Sequence, residues 1–386
     1  MITENVKGFR DIEGEEAWKR ARIKEILSKK FELYGYELVE APIVEYEEFV
    51  KGNNENDEAV SDIFKLKDRG DRKLALRYEV TFQLKRLSQN KKLPYKRYQI
   101  GEVFRDEPIS PNRFRQFTQC DIDSVGAGIK SEAETLAVVR DVFEELGIKV
   151  TIYVNNRKLL NEILESCGVK DSDKEEVIRE IDKMDKLSEK EVMDNLKKYN
   201  AEKLVTIFKN KEEYFKKFSS YKEIEELKKY CAYYGVKFVF QPTLARGLSY
   251  YIGSVFEVKT DKIKETIVGG GTYMINGSQS TGLSFGLDRI TNLANLKEQK
   301  RECLIVSLDQ DKVSIELSKL IRKNNIPCSV MFGKPSKALE YANTKQISSV
   351  VFIGEDEVKS KKYKLKDMIS GKEFKVNEKE LVKKLS

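Results

Sequence analysis

The chain contains no histidine. That absence removes a large part of enzyme chemistry: histidine general bases, Ser-His-Asp triads, Cys-His pairs and imidazole-ligated metals. Any catalysis must run on arginine, carboxylates, backbone amides, bound Mg2+ or the substrate itself. Cysteine is sparse. Five occur, Cys120, Cys167, Cys231, Cys303 and Cys328, widely spaced and without a C-x-x-C pair. This argues against a disulfide framework and against a cysteine zinc site; reduced thiols in a cytoplasmic protein are expected. The opening MITENVKGFRDIEGEE has no apolar segment and no long apolar run follows, so neither a signal peptide nor a membrane span is expected. There is no internal repeat and no low-complexity tract.

What is present fits a globular protein of two or three domains: 386 residues, 35% charged and 40% hydrophobic. The net charge of +7 is compatible with a polyanionic partner without requiring one.

The apolar stripe Ala17, Ala21, Ile23, Ile26, Leu27, Phe31 and Leu33 predicts a helix over 15–34. A strand follows at Tyr36–Val39, and Pro42 opens an extended segment. Residues 53–73 are polar and are expected to form a mobile loop. Leu74–Tyr78 comes next, then a helix reaching about Asn90. A helix is expected at 131–147 and a strand at Lys149–Asn155. Residues 162–236 read as a highly charged helical insertion, and Phe238–Arg289 return to strands and glycine-rich turns. Beyond a polar connector at 293–301, strands at Leu304–Leu308, Pro327–Phe332, Val350–Ile353 and near Tyr363–Leu365 alternate with helices at Val313–Asn324 and from Ser336. That alternation implies a small doubly wound α/β domain.

The stretch Tyr98–Gly126, YQIGEVFRDEPISPNRFRQFTQCDIDSVG, carries the most chemistry. It predicts two strands joined by a polar turn flanked by Arg105, Arg113 and Arg115, with acceptors at Gln119, Asp121 and Asp123. Arginine forks suit phosphates, and the acceptors suit a cationic small molecule; a solvated basic hairpin is the competing reading. Four further segments stand out: Arg77-Tyr78-Glu79-Val80-Thr81; Thr243–Val258, TLARGLSYYIGSVFEV; Ile267–Tyr273, IVGGGTY; and Gly282–Ile290, GLSFGLDRI. Consecutive glycines let a backbone approach a ligand closely. No G-K-[ST] or G-x-G-x-x-G pattern accompanies them, so a phosphate loop is not indicated on that ground.

Together these segments resemble the motifs of class II aminoacyl-tRNA synthetases, and their wording is most similar to histidyl-tRNA synthetases. Phe104-Arg105 and Arg113–Phe117 resemble the second class II motif, GLSFGLDRI the third, and the helix–strand–Pro42 order the first, dimer-forming motif. RGLSYY resembles the family's R-G-L-D-Y-Y. The resemblance runs from Gly8-Phe9-Arg10-Asp11 to the C-terminal part. It implies an α+β catalytic domain with an antiparallel sheet, in two parts, 1–161 and 237–296, around the helical insertion 162–236. A C-terminal α/β anticodon-binding domain, 302–386, follows.

It further implies activation of histidine with ATP and Mg2+, transfer to tRNA(His), a homodimer, and no zinc. Arg105 and Arg246 would be catalytic at the α-phosphate. Histidine would be bound by Glu79, Val80, Thr81, Arg105, Gln119, Asp123, Arg246, Tyr250, Tyr251 and Tyr273. Gln119 and Asp123 would read the imidazole. ATP would be held by Arg105, Glu107, Arg113, Phe117 and Arg289, with Glu107 on the Mg2+ or adenine side and Arg289 against the adenine. Ser249, Thr272 and Met274 depart from the family's usual aspartate, arginine and aspartate, which puts some substrate contacts in question. Two other readings stay open: a non-catalytic paralogue of the kind found as an ATP phosphoribosyltransferase regulatory subunit, and another synthetase of the same subclass. The missing histidines would let an enzyme that supplies histidyl-tRNA be made when that tRNA is scarce; compositional drift is the alternative.

Overall fold

A computed structural model of the chain describes residues 2–52, 58–184, 187–245, 250–297 and 302–386. It divides into two compact units, Met1–Leu296 and Lys297–Ser386.

The first unit is built on strands β1 (Glu37–Leu38), β2 (Val44–Tyr46), β3 (Lys65–Lys67), β4 (Lys73–Leu76), β5 (Tyr95–Phe104), β6 (Gln116–Val125), β7 (Thr151–Asn156), β8 (Val239–Phe240), β9 (Tyr251–Lys259), β10 (Val268–Ile275) and β11 (Ser278–Gly286). Eight of them form one sheet in the order β1-β5-β6-β11-β10-β9-β7-β8. The six inner strands are antiparallel throughout, as expected. The two outermost strands, β1 and β8, run parallel to their neighbours, so the sheet as a whole is mixed. A small second sheet, β2-β4-β3, lies in the same unit. Its strand β3 and the short helix Glu58–Ser61 fall within the stretch expected to be a loop. Val60, Ile63, Phe64 and Leu66 are the large apolar residues there, set among charged and polar neighbours without a sustained period. The helix expected to reach Asn90 is a single turn, Leu84–Leu87.

Alternation in β6 and β11 decides which face is packed. Cys120, Ile122, Leu283 and Phe285 point into the main core against helices Gly14–Leu33 and Ile129–Leu146. The first of these helices buries Ile23, Ile26, Leu27 and Phe31, one face at helical spacing. Ala21 and Leu33, expected in that stripe, are exposed. Phe285 meets Phe31 at 5.4 Å and Phe143 at 6.2 Å between ring centres. Full burial of each such side chain contributes about 1.5–3 kcal/mol. The region 162–236 is helical, and its buried residues, among them Val177, Leu196, Phe215 and Leu227, belong to the same core.

The second unit carries β12 (Cys303–Ser307), β13 (Cys328–Phe332), β14 (Ser349–Ile353), β15 (Tyr363–Asp367) and β16 (Glu373–Val376), in the order β13-β12-β14-β15-β16. The first three are parallel and the last two turn back antiparallel. Strand β16 and the closing helix Glu378–Leu385, with its Asn377–Glu380 capping box, were not expected.

Candidate active site

The face of the large sheet away from the helices is polar because of the same alternation. On β6 it presents Gln119, Asp121 and Asp123. Register sets these opposite Gly286, Ser284 and Gly282 of β11 and opposite Gly101, Gln99 and Arg97 of β5. Small residues stand beside large acceptors. A methyl group at Gly282 would overlap the Asp123 carboxylate, so only glycine lets Asp123 lie across the strand. On β10, a Cβ at Gly271 would come within 2.5 Å of the Ser254 carbonyl oxygen and against the Tyr251 ring. Of the three glycines, Gly269 and Gly270 line the site, while Gly271 makes room for the sheet's own strands.

One cleft runs over this floor. Glu79, Thr81, Asp123, Tyr250, Tyr251 and Tyr273 line one end, with Asp62 and Asp121. Asn112, Phe117, Glu265 and Arg289 line the other. Arg105, Glu107, Arg113, Gln119, Gly269 and Ser284 border both, so the two ends are continuous. Val80 does not reach the cleft. Its side chain is buried, and its carbonyl accepts a hydrogen bond from Arg97 Nη2 at 2.9 Å. Arg246 and Ser249 lie outside the described residues.

The arginines are held by specific contacts. Arg105 donates from Nε to the Tyr78 carbonyl at 3.1 Å and places its guanidinium 5.2 Å from the centre of the Phe117 ring. Arg113 is ion-paired with the buried Glu107. Arg289 donates to the Thr266 carbonyl at 2.6 Å. Burial, together with nearby Arg113 and Arg105, pushes its pKa down, although Glu265 and Glu107 oppose this. Three cations so close together are suited to a polyanion.

The hairpin tip that carries two of them is braced by the N-terminal segment. The Arg115 amide donates to the Gly8 carbonyl at 3.0 Å, and Arg10 lies 4.3 Å from the Phe114 ring centre. Gly8 has φ +88°, and a side chain there would strike Arg115. Below the tip, the Asp288 carboxylate accepts from Arg20 Nη1 at 2.6 Å and from the Thr118 amide at 3.1 Å.

The opposite end is acidic. Burial, with Asp123 beside it, pushes the Asp121 carboxyl up to about 8. Burial also raises Asp123, opposed by Arg97 and by the Tyr273 hydroxyl that donates to it. Arg97 is fully buried and stands 2.8 Å from the Asp123 carboxylate. Asp123 is therefore one member of an Arg97–Asp123–Tyr273 set. Tyr250 donates to Glu79 at 3.3 Å, and burial keeps its phenol protonated. Gln119 Oε1 and Asp121 Oδ1 are buried without a hydrogen-bond partner, and such atoms are stabilised by a donor brought in by a ligand.

Sequence reasoning missed Arg97, Asp62 and Glu265, and left Asp121 without a role. For Arg97 a signal existed: Arg97, Gln99 and Gly101 alternate with Tyr98 and Ile100, which places them on the polar face. Of the three departures, Thr272 turns out to face away from the cleft. Its hydroxyl donates to Glu132 at 2.7 Å on the helix side of the sheet. Met274 is 44% exposed and does not line the cleft.

Among the described residues no group of three or more Cys, Asp or Glu could hold a metal ion. No helix among them is long and apolar enough to cross a membrane.

Residues 8–290 match the family model of histidyl-tRNA synthetase, and residues 302–386 match that of an anticodon-binding domain. A curated relative, histidine–tRNA ligase 1 of Bacillus cereus, is 34% identical, with 97% of this chain and 95% of the relative aligned. The crystal structure of histidyl-tRNA synthetase from Nostoc sp. PCC 7120 superposes with a TM-score of 0.85 at 24% identity, covering 100% of this chain and 99% of that one. A Bacillus halodurans C chain, described as an ATP phosphoribosyltransferase regulatory subunit/histidyl-tRNA synthetase, follows with a TM-score of 0.78 at 19% identity, covering 91% of this chain and 98% of that one. These two structures speak for the fold alone. With the family model spanning the first unit and a relative aligned along nearly the whole sequence, the chain belongs to the histidyl-tRNA synthetase family.

Proposed function

We propose that this chain is a histidine–tRNA ligase, an aminoacyl-tRNA synthetase that activates histidine with ATP and passes it to the 3′ end of tRNA(His). The observation that carries this is the two-ended cleft: buried acceptors Gln119, Asp121 and Asp123 at one end, and Arg105, Arg113 and Arg289 at the other, with Arg105 and Arg113 bordering both. A cationic or hydrogen-bonding side chain suits the first end, a polyphosphate the second.

In this reading Glu79 and Thr81 hold the substrate amino group. Gln119 and the Arg97-supported Asp123 face the imidazole, and Tyr250, Tyr251 and Tyr273 wall the pocket. A histidine carboxylate oxygen attacks the α-phosphorus of ATP, and pyrophosphate leaves. Arg105 offsets the charge that develops on the α-phosphate, which needs no protein base. Arg246, assigned by its motif, would share that task. Arg113 and Phe117 take the remaining phosphates and adenine side, and Arg289 stacks on the adenine. Mg2+ would arrive with ATP, held chiefly by phosphate oxygens, with Glu107 as the protein carboxylate nearest that role. The adenosine 3′ hydroxyl of the tRNA then attacks the acyl carbonyl and AMP leaves.

In this reading 1–161 and 237–296 form the catalytic domain and 162–236 its insertion, while 302–386 reads the tRNA. A homodimer is supported by exposed apolar side chains around the sheet edge and the small sheet: Leu33, Leu38, Val44, Tyr46 and Leu66. A cytoplasmic setting is supported by the small number and wide spacing of the cysteines in the sequence.

Histidine-dependent ATP–pyrophosphate exchange tests the proposal. Exchange with histidine is expected. Histidine binding without exchange would favour the regulatory paralogue instead, and exchange with another amino acid a different synthetase. Arg246→Ala should abolish exchange while sparing the fold; retained turnover would remove it from the mechanism.

A further inference from the structure

We infer that Cys303 and Cys328 form a reversible disulfide site in the second unit, with Cys328 as the thiol that meets an oxidant and Cys303 as the thiol that resolves it. The two residues are direct partners in the parallel register of β12 and β13. Side chains at paired positions of neighbouring parallel strands stand side by side on one face. Here both belong to the same apolar cluster, with Leu317 and Ile321 of helix Asp311–Lys323. Neighbouring strands are about 4.8 Å apart, inside the roughly 4.4–6.8 Å Cα window that a disulfide spans. The register thus sets the two Cα atoms within disulfide reach.

The pair is also chemically unequal. Cys303 is fully buried, whereas Cys328 is only partly covered and lies on an edge strand. Each thiol is the foremost influence on the other: Cys303 is pushed up and Cys328 down. Burial opposes the lowering at Cys328, Arg322 assists it, and Glu302 opposes it. Arg322 is fixed beside the strand by donating from Nε to the Cys328 carbonyl at 2.9 Å. A thiolate favoured at the accessible member is the arrangement that makes a cysteine reactive.

With a hydroperoxide as oxidant the steps balance. The Cys328 thiolate attacks one peroxide oxygen; an S–O bond forms, the O–O bond breaks, and the other oxygen leaves as alcohol, or as water from hydrogen peroxide. The Cys303 sulfur then attacks the sulfenic sulfur of Cys328. The S–S bond forms, the S–O bond breaks, and hydroxide leaves as water with the Cys303 proton. Two electrons pass from the thiols to the peroxide, and a dithiol reductant reverses the change. The product would tie the edge strand β13 covalently to β12.

The test uses the full chain. Native protein is exposed to hydrogen peroxide, its remaining thiols are blocked with N-ethylmaleimide, and it is digested without reduction. A linked peptide containing Cys303 and Cys328 is expected, with two of the five thiols lost and both recovered by dithiothreitol. Cys303→Ser should give no link and a Cys328 sulfenic acid trapped by dimedone; Cys303→Ala gives the same reading should serine disturb the core. Cys328→Ser should leave Cys303 reduced. The inference is overturned if Cys167, another partly exposed thiol, is consumed while both stay reduced. It is overturned equally if the link forms only in urea, or if native Cys328 pairs elsewhere.

Discussion

Replacing Arg97 by methionine isolates the buried support of the proposed imidazole reader. Arg97 is fully buried, stands 2.8 Å from the Asp123 carboxylate, and also donates to the Val80 carbonyl. Methionine keeps most of the volume and removes the charge. Breaking one side of a buried pair costs about 3–5 kcal/mol. Proton uptake caps the cost: holding a carboxyl of ordinary pKa about 3.9 protonated at pH 7 takes about 4 kcal/mol. Against a total stability of roughly 5–15 kcal/mol, the variant should fold but be clearly weakened. The sign of its pH dependence is fixed. The Asp123 carboxyl, already raised by burial, rises further above its unfolded value without Arg97. The folded state then keeps a proton that the unfolded state gives up, and stability is lost as pH increases above about 4. The urea midpoint of Arg97→Met should therefore fall further below the parent at pH 8 than at pH 5. Loss of one charge-assisted hydrogen bond to the substrate, about 1.5–3 kcal/mol, should raise the KM for histidine in pyrophosphate exchange roughly 10- to 150-fold. Adding Asp123→Asn to Arg97→Met should restore part of the stability but not the KM. A single variant as stable as the parent at pH 8, with unchanged KM, would refute the coupling.

Three other outcomes follow from the site. Asp121 has a folded pKa near 8, far above its unfolded value. Its burden on stability therefore grows as pH rises from about 4 to 8, at no more than about 1.4 kcal/mol per pH unit. Asp121→Asn should gain stability relative to the parent progressively across that window in urea titrations, and a gap constant with pH would count against the shift. Gly282→Ala should displace Asp123 and impair histidine binding measured by calorimetry, whereas Gly128→Ala, with nothing within 4 Å of the added methyl group, should not. Thr272→Val should cost about 1–3 kcal/mol by removing one of the hydrogen bonds to the buried Glu132, that with Ser254 remaining, and leave the KM values for histidine and ATP unchanged; a changed KM would put Thr272 back in the substrate path.

Much of the fold is legible where burial imposes a period. The helices Gly14–Leu33 and Ile129–Leu146 and the long strands β5 and β6 all fall close to the ranges that pattern predicts. What escapes has weak periodicity. Strands β3 and β16 are three and four residues long, with two charged residues each, on small or marginal sheet surfaces. The parallel edge strand β8 has two residues, too short for any alternation to register, whereas β1 falls inside the strand expected at Tyr36–Val39. In the site, motif residues such as Glu79, Arg105, Arg113, Gln119 and Arg289 sit around one cleft. Arg97 and Asp121 were not assigned roles because motifs mark residues that touch ligands, while their work is electrostatic and depends on register across strands. Thr272 shows the converse. Lying next to Tyr273 in a motif made it look like a substrate contact, but neighbours on a strand face opposite sides.

The absence of histidine acquires a physical use once the cleft is in view. A free imidazole titrates near pH 6.5, and this chain supplies none. In the cleft, burial raises the Asp121 carboxyl to about 8 and raises that of Asp123 as well. An inflection in kcat/KM for histidine near pH 6 to 7 that persists in both Asp121→Asn and Asp123→Asn belongs to the imidazole of the substrate, and one near 8 has Asp121 and the substrate amino group. The same holds spectroscopically. Every imidazole nitrogen signal from the complex belongs to the ligand, so its tautomer and charge can be read without isotope editing of the protein. Because Asp123, paired with Arg97, faces that ring from β6, its negative charge should hold the bound imidazole cationic to higher pH than the free amino acid. Asp123→Asn should then lower the titration point of the bound ring. That links the pH profile of the reaction to Asp123, in a protein that carries no imidazole of its own.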